Sequence, residues 1–323
     1  MEYRNLGASG LKVSVLGLGC NSFGGRADRE TSIRIIHAAL DAGITLIDTA
    51  NGYTGGQSET IIGEALKDRR HAAVVATKAG LPVGDGPYNR GTSRRHLAAQ
   101  LDQSLKRLNT DHVDLFYVHT FDEETPLEET LRTLDDFVRQ GKVRYVAASN
   151  YHAHELATAL GIAKAHGWER FAGLQPSYSL VDRTPEQALI PLALQEGIGI
   201  IAYYPLAGGV LTGKYRGGQI PTGSRAEKQP TFLTMVNART QEAGDAFTAL
   251  AEEAGIEPGA LALAWLTGRP GVSSAIVGAT RVGQVEQNLQ ALDIHIPDHI
   301  KRQLDDLSAP FVAGKPFGWY RLK

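Results

Sequence analysis

The stretch TPLEETLRTLDDFVRQGKVRYVAASN, residues 125–150, holds one whole unit of the architecture. It opens on Thr125-Pro126-Leu127-Glu128, which reads as a capping box with proline at the first helical position: the threonine and glutamate side chains satisfy free amides at the helix start, and proline has no amide to leave unpaired. Gly141 follows the run LDDFVRQ, where a left-handed residue ends a helix. The residues VRYVAAS then read as a strand, Val143–Ser149, short and mostly apolar as a strand covered on both faces must be. The strand runs out on two polar residues, Ser149 and Asn150.

Helix, glycine, apolar strand and polar strand end recur along the chain. The strand candidates are Val15–Leu18, Ile44–Asp48, Ala73–Lys78, Val113–His119, Val143–Ser149, Gly173–Pro176, Ile198–Tyr204 and Ser274–Val277. Helical patterns lie between them. A second capping box with proline falls at Thr184-Pro185-Glu186-Gln187, and Gly43 and Gly197 repeat the stop signal. Eight parallel strands alternating with helices predict an α/β fold, the (β/α)8 TIM barrel, and 323 residues suit one such domain spanning 1–323. The opening segment, with Gly7, Gly10 and strand-like residues near Val13, predicts a small hairpin at the barrel bottom. Residues 206–230 are too glycine-rich and too long for a routine connection, so they predict a functional loop after strand seven, over the mouth. After the C-terminal helix, the tail from Pro310 carries Phe311, Phe317, Trp319 and Tyr320, which either cover a pocket or dock on the barrel wall.

Composition narrows the partners. A net charge of −2 gives no basic surface for nucleic acid or an anionic membrane, and no apolar run reaches transmembrane length. The N-terminus lacks the basic and apolar regions of a signal peptide, and the single cysteine, Cys20, permits no internal disulfide, so a cytoplasmic protein is expected, as a monomer or a homo-oligomer. With no neighbouring histidine, Cys20 reads as a small buried residue rather than a nucleophile.

Barrels of this kind carry their chemistry at the C-terminal strand ends. There the pattern places Asp48, Lys78, His119, Ser149 with Asn150, Gln175, and Tyr203 with Tyr204, all facing one opening, which is the convergence of a small-molecule site. Tyr53 returns over the mouth from the loop after Asp48. An adjacent ammonium on Lys78 would favour the phenolate and lower the pKa of Tyr53; Asp48 would hold Lys78, leaving His119 to hydrogen-bond a substrate oxygen. This set suits proton transfer to a developing alkoxide. It lacks a serine elbow for acyl transfer and the ligand spacing of a metal site.

Seven segments then resemble the aldo-keto reductases, in order and over essentially the whole chain. LIDTANGYTGGQSETIIGEAL is similar to the segment bearing that family's aspartate and tyrosine, VVATKAG to its lysine strand, and LNTDHVDLFYVH to its histidine strand. VRYVAASNY, LQPSYSLVDR and AYYPL resemble the segments around the nicotinamide, and AIVGATRVGQVEQNLQAL the segment around the adenosine. The resemblance implies a catalytic tetrad of Asp48, Tyr53, Lys78 and His119, nicotinamide-amide contacts from Ser149, Asn150 and Gln175, and stacking by Tyr203. It implies further cofactor contacts from Gly19, Cys20 and Asn21, from Tyr204, Pro205 and Leu206, and from Gly278, Thr280, Arg281, Gln284 and Asn288. GGVLTGKY followed by SRA resembles the branch that includes potassium-channel β subunits, which assigns Lys214 and Arg225 to the cofactor phosphates. Phe23 and Phe121 would shape the substrate pocket. Tyr204 stands where many members have serine, and Gln287 where a glutamate is common.

The cofactor so implied is NADPH/NADP+, with Arg281 opening the helix after strand eight and pairing with the 2′-phosphate. The expected activity is reduction of aldehydes or ketones to alcohols, or the reverse, with Tyr53 as proton donor. Two other readings use the same residues: an aldolase with a Schiff base on Lys78, and an NADPH-sensing binding subunit with little turnover.

Overall fold

The computed structural model describes all residues except 223, 229–235, 317, 319 and 323, and the backbone alone for 225 and 228. Phe317 and Trp319 of the aromatic tail therefore lie outside the described residues. The architecture is a closed barrel of eight parallel strands ringed by helices, preceded by an antiparallel hairpin. The hairpin pairs β1 (Tyr3–Asn5) with β2 (Lys12–Ser14). The barrel strands follow as β3 (Leu16–Gly19), β4 (Leu46–Asp48), β5 (Val74–Ala79), β6 (Val113–Val118), β7 (Val143–Ser149), β8 (Gly173–Gln175), β9 (Gly199–Ala202) and β10 (Val272–Gly278), the last closing on β3. Each overlaps its predicted strand. Of the trimmed ends, Ile44 is buried in the connection before β4, and Tyr203 lies beyond β9 but still forms an isolated parallel bridge with Ser177.

The helices are α1 (Arg29–Asp41), α2 (Gln57–Ala65), α3 (Arg94–Leu108), α4 (Leu127–Arg139), α5 (Ala153–His166), α6 (Leu189–Glu196), the short α7 (Arg225–Lys228), α8 (Ala238–Glu253), α9 (Pro258–Thr267), α10 (Gly283–Leu289) and α11 (Asp298–Ser308). Gly43, Gly141 and Gly197 take φ of 84°, 74° and 68°, the left-handed stops read from the sequence. Neither predicted capping box formed. Pro126 is itself the N-cap of α4, and the Thr125 hydroxyl donates to Asp122 Oδ2 at 2.7 Å. Thr184–Gln187 is an isolated 3-10 turn tied to Asp182 Oδ1 by the Thr184 hydroxyl at 2.7 Å, and α6 starts only at Leu189. In both places a nearby aspartate captures the threonine, which is the local competition that short polar side chains offer a helix start.

Two cores result. One packs the outer strand faces against the helices; the other fills the barrel with Leu46, Ala76, Leu115, Tyr117, Ala147 and Ile201, plugged from below by Leu6 of the hairpin. That plug requires bare backbone beneath it: a Cβ on Gly199 would lie 2.6 Å from Leu6 Cδ1, and one on Gly173 would lie 3.2 Å away. With its N-terminal end closed and filled, the barrel leaves the C-terminal strand ends as the open face.

Candidate active site

At that open face Asp48 ends β4 and Lys78 lies one residue before the end of β5, and their side chains meet inside the barrel. Lys78 Nζ donates to Asp48 Oδ1 at 2.5 Å and to the Thr49 carbonyl at 2.7 Å, while Gln175 Nε2 of β8 donates to Asp48 Oδ2 at 2.8 Å. Burial pushes the Asp48 carboxyl above its usual range; Lys78 and Gln175 pull it back. The Lys78 side chain is fully buried, with Nζ 5.3 Å from the ring centre of Tyr53 and 5.2 Å from that of Tyr117. It does not line the cleft.

Tyr53 opens a 3-10 turn, Tyr53–Gly56, and its ring meets His119 edge to face at 6.0 Å between centres. The predicted lowering of its pKa is wrong for this state. Burial and the negative charge of Asp48 hold the phenol well above its ordinary value. Burial and Lys78 together push His119 well below the usual imidazole range, so its ring is neutral. Its buried Nδ1 has no partner among the described residues.

Ser149 and Asn150 end β7 beside this group. The Ser149 hydroxyl donates to the Gln175 carbonyl at 2.9 Å, and Asn150, left-handed at φ 56°, donates to the His119 carbonyl at 2.8 Å. The Tyr203 hydroxyl lies 2.7 Å from Asn150 Oδ1 and 2.6 Å from the Gly318 carbonyl, sharing its one proton between them and tying the C-terminal tail to the rim. Tyr320 continues that tie, with its hydroxyl 2.9 Å from that of Tyr204 and its carbonyl accepting from Thr120. The described tail does both: Phe311 packs in the outer core, and Tyr320 lines the cleft.

One cleft of about 650 Å³ is lined by Asp48, Tyr53 and His119, by Tyr204, Pro205 and Leu206, and by Lys214, Arg281, Gln284 and Asn288. Gly19 and Gly278, paired in register, both line it and leave a bare strip of floor. Cys20, Asn21, Ser149, Asn150, Gln175, Tyr203 and Thr280 also line it, so most of the predicted residues converge. Others do not. Phe23 is fully buried in the outer core instead of the cleft, and Phe121 packs edge to face on Tyr151 at 5.2 Å, also outside the lining. Arg225 opens α7, but its side chain lies outside the described residues. Arg281 precedes α10 and does not open it, and the Thr280 amide is capped by Gln284 Oε1 at 2.7 Å. Sequence reasoning missed Arg26, Glu257 and Ser224, which line the cleft from loops with no periodic signal, and it named Tyr320 without a position.

The family model for aldo/keto reductases matches residues 15–309. Among known proteins the chain is 37% identical over 325 residues to a probable voltage-gated potassium channel subunit beta of Oryza sativa subsp. japonica, covering 98% of each. It is 37% identical over 321 residues to the uncharacterized oxidoreductase YrpG of Bacillus subtilis, covering 95% of this chain and 96% of that one. To the L-glyceraldehyde 3-phosphate reductase of Escherichia coli K12 it is 37% identical over 310 residues, covering 91% and 88%.

Proposed function

The chain belongs to the aldo/keto reductase family, and on that premise we propose that it is an NADPH-dependent oxidoreductase that converts aldehydes or ketones to alcohols, or the reverse. The observation that carries this reading is the buried Asp48–Lys78 pair beside Tyr53 and a neutral His119, with Asp48, Tyr53 and His119 lining one cleft. The lining suits the dinucleotide: it combines amide and hydroxyl groups of Ser149, Asn150 and Gln175, the paired glycines Gly19 and Gly278, and the cations Lys214 and Arg281. Tyr203 would stack on the nicotinamide, and the Arg281 guanidinium favours a 2′-phosphate and so NADPH over NADH. When bound, the cofactor supplies a hydride for the carbonyl carbon.

The protein's own residues do the rest. His119, neutral at working pH, orients the substrate oxygen. Tyr53, held protonated by burial and the charge of Asp48, gives its proton to that oxygen as negative charge develops there. Lys78 then faces a forming phenolate, and Asp48 fixes where that positive charge sits. An aldolase does not fit the same residues, because a Schiff base needs an accessible neutral amine and Lys78 is buried and ion-paired.

We read residues 1–323 as one domain and place the enzyme in the cytoplasm, where its single buried cysteine fits a reducing environment. Among the described residues no helix is long and apolar enough to cross a membrane. A panel of aldehydes and ketones scored by NADPH absorbance tests the function. Many turnovers per site support it; tight cofactor binding with almost no turnover would instead favour a binding subunit, the role that the rice relative's name carries.

A further inference from the structure

Tyr53 stands on strained backbone. Thr54, Gly55 and Gly56 follow it with φ of 49°, 65° and 90°, and a threonine in the left-handed region persists only where its surroundings force it. Part of that force is visible: the Thr54 hydroxyl donates to the Phe23 carbonyl at 2.7 Å, and the Ser58 hydroxyl donates to the Cys20 carbonyl at 2.9 Å. These bonds tie the turn to the β3 side of the barrel. The Asn51 amide, two residues before Tyr53, ties the loop to β5 by donating to the Lys78 carbonyl at 3.0 Å, and Glu59 adds a side-chain tie from the other side of the turn.

The Glu59 side chain is fully buried on α2. Its Oε1 accepts from the hydroxyl of Thr77, the residue before Lys78, at 2.5 Å. Its Oε2 accepts from Arg107 Nε of α3 at 2.7 Å. Arg107 in turn lies under the strained turn, where a Cβ on Gly56 would be 2.9 Å from Arg107 Cδ. One carboxylate thus joins the Tyr53 turn, the Lys78 strand and a third element. A buried ion pair is weak evidence for stability, since apolar residues of similar volume often serve as well. Its directional bonds do fix relative position, and misplacement of about 1 Å can cost on the order of 100-fold in rate.

We propose that Glu59, with Arg107, is a positioning residue that sets Tyr53 against Lys78 for proton transfer. This rests on the reading of Tyr53 as proton donor. Glu59→Gln keeps an acceptor for Thr77 and removes the charge that faces Arg107. The variant should lose roughly 10-fold or more in kcat at saturating NADPH and aldehyde, while the NADPH Kd moves less than about twofold. Placed in a Tyr53→Phe background, the same change should cost nothing further, because it acts through a hydroxyl that is already gone. If Glu59→Gln does not fold, Arg107→Lys is read in the same two ways. An unchanged kcat in the folded single variant, or losses that multiply in the double variant, overturns the proposal and leaves Tyr53 its role. Near-normal turnover of Tyr53→Phe by itself overturns both.

Discussion

Replacing Lys78 by methionine removes a charge from the site while nearly keeping its volume. As Tyr53 gives up its proton, negative charge builds on a ring whose centre is 5.3 Å from Lys78 Nζ. Two unit charges at that distance, at an effective dielectric constant of about 20, interact by about 3 kcal/mol, or roughly two orders of magnitude in rate. Turnover of Lys78→Met at saturating substrates should therefore fall on the order of 100-fold. A second effect follows at Asp48. Burial still pushes its carboxyl up and the main opposing charge is gone, so its folded pKa climbs further above the unfolded value. A raised carboxyl pKa means that the folded state binds more protons than the unfolded one, so the variant's stability is highest in acid and declines as pH rises from about 4 toward the folded pKa. Thermal melts across pH 4–8 beside steady-state kinetics read both effects. A folded Lys78→Met enzyme within about fivefold of the parent's kcat would refute the electrostatic role, and a melting temperature that rises with pH relative to the parent would refute the account of Asp48.

Arg281→Ala should weaken NADPH binding roughly 10- to 100-fold and leave NADH nearly unchanged, as expected for loss of a charged pair to the 2′-phosphate; equal losses in a cofactor titration would remove that role. Gly318→Val should lift the tail, since a Cβ there would sit 2.5 Å from Tyr204 Cε2. That strain is on the order of 1–3 kcal/mol and should change KM for carbonyl substrates at least severalfold; an unchanged KM would separate the tail from substrate binding.

The barrel was legible because parallel strands buried on both faces read as apolar runs, and because each run stops where polar residues begin. Asp48, Lys78, His119 and Gln175 stood out for the same reason: nothing in a packed core accounts for them. What escaped depends on contacts distant in sequence. Gly318 and Tyr320 reach Tyr203 and Tyr204 across more than a hundred residues, and no local pattern encodes that return. The direction of the Tyr53 pKa escaped as well. Sequence placed a cation beside the phenol, but the net field also depends on Asp48 and on burial, which only the fold supplies. Phe23 misled for a simpler reason: an aromatic residue near the mouth and one in the core look alike until the β3–α1 loop is built.

The central claim is that Tyr53 gives the proton, and Tyr53→Phe tests it most directly, because phenylalanine keeps the ring over Lys78 and removes only the hydroxyl. Steady-state NADPH oxidation with an aldehyde that the parent reduces, paired with an NADPH binding titration, should show turnover lower by about two to four orders of magnitude and a Kd within about twofold of the parent. Near-normal turnover in a Tyr53→Phe enzyme that binds NADPH normally would contradict the account.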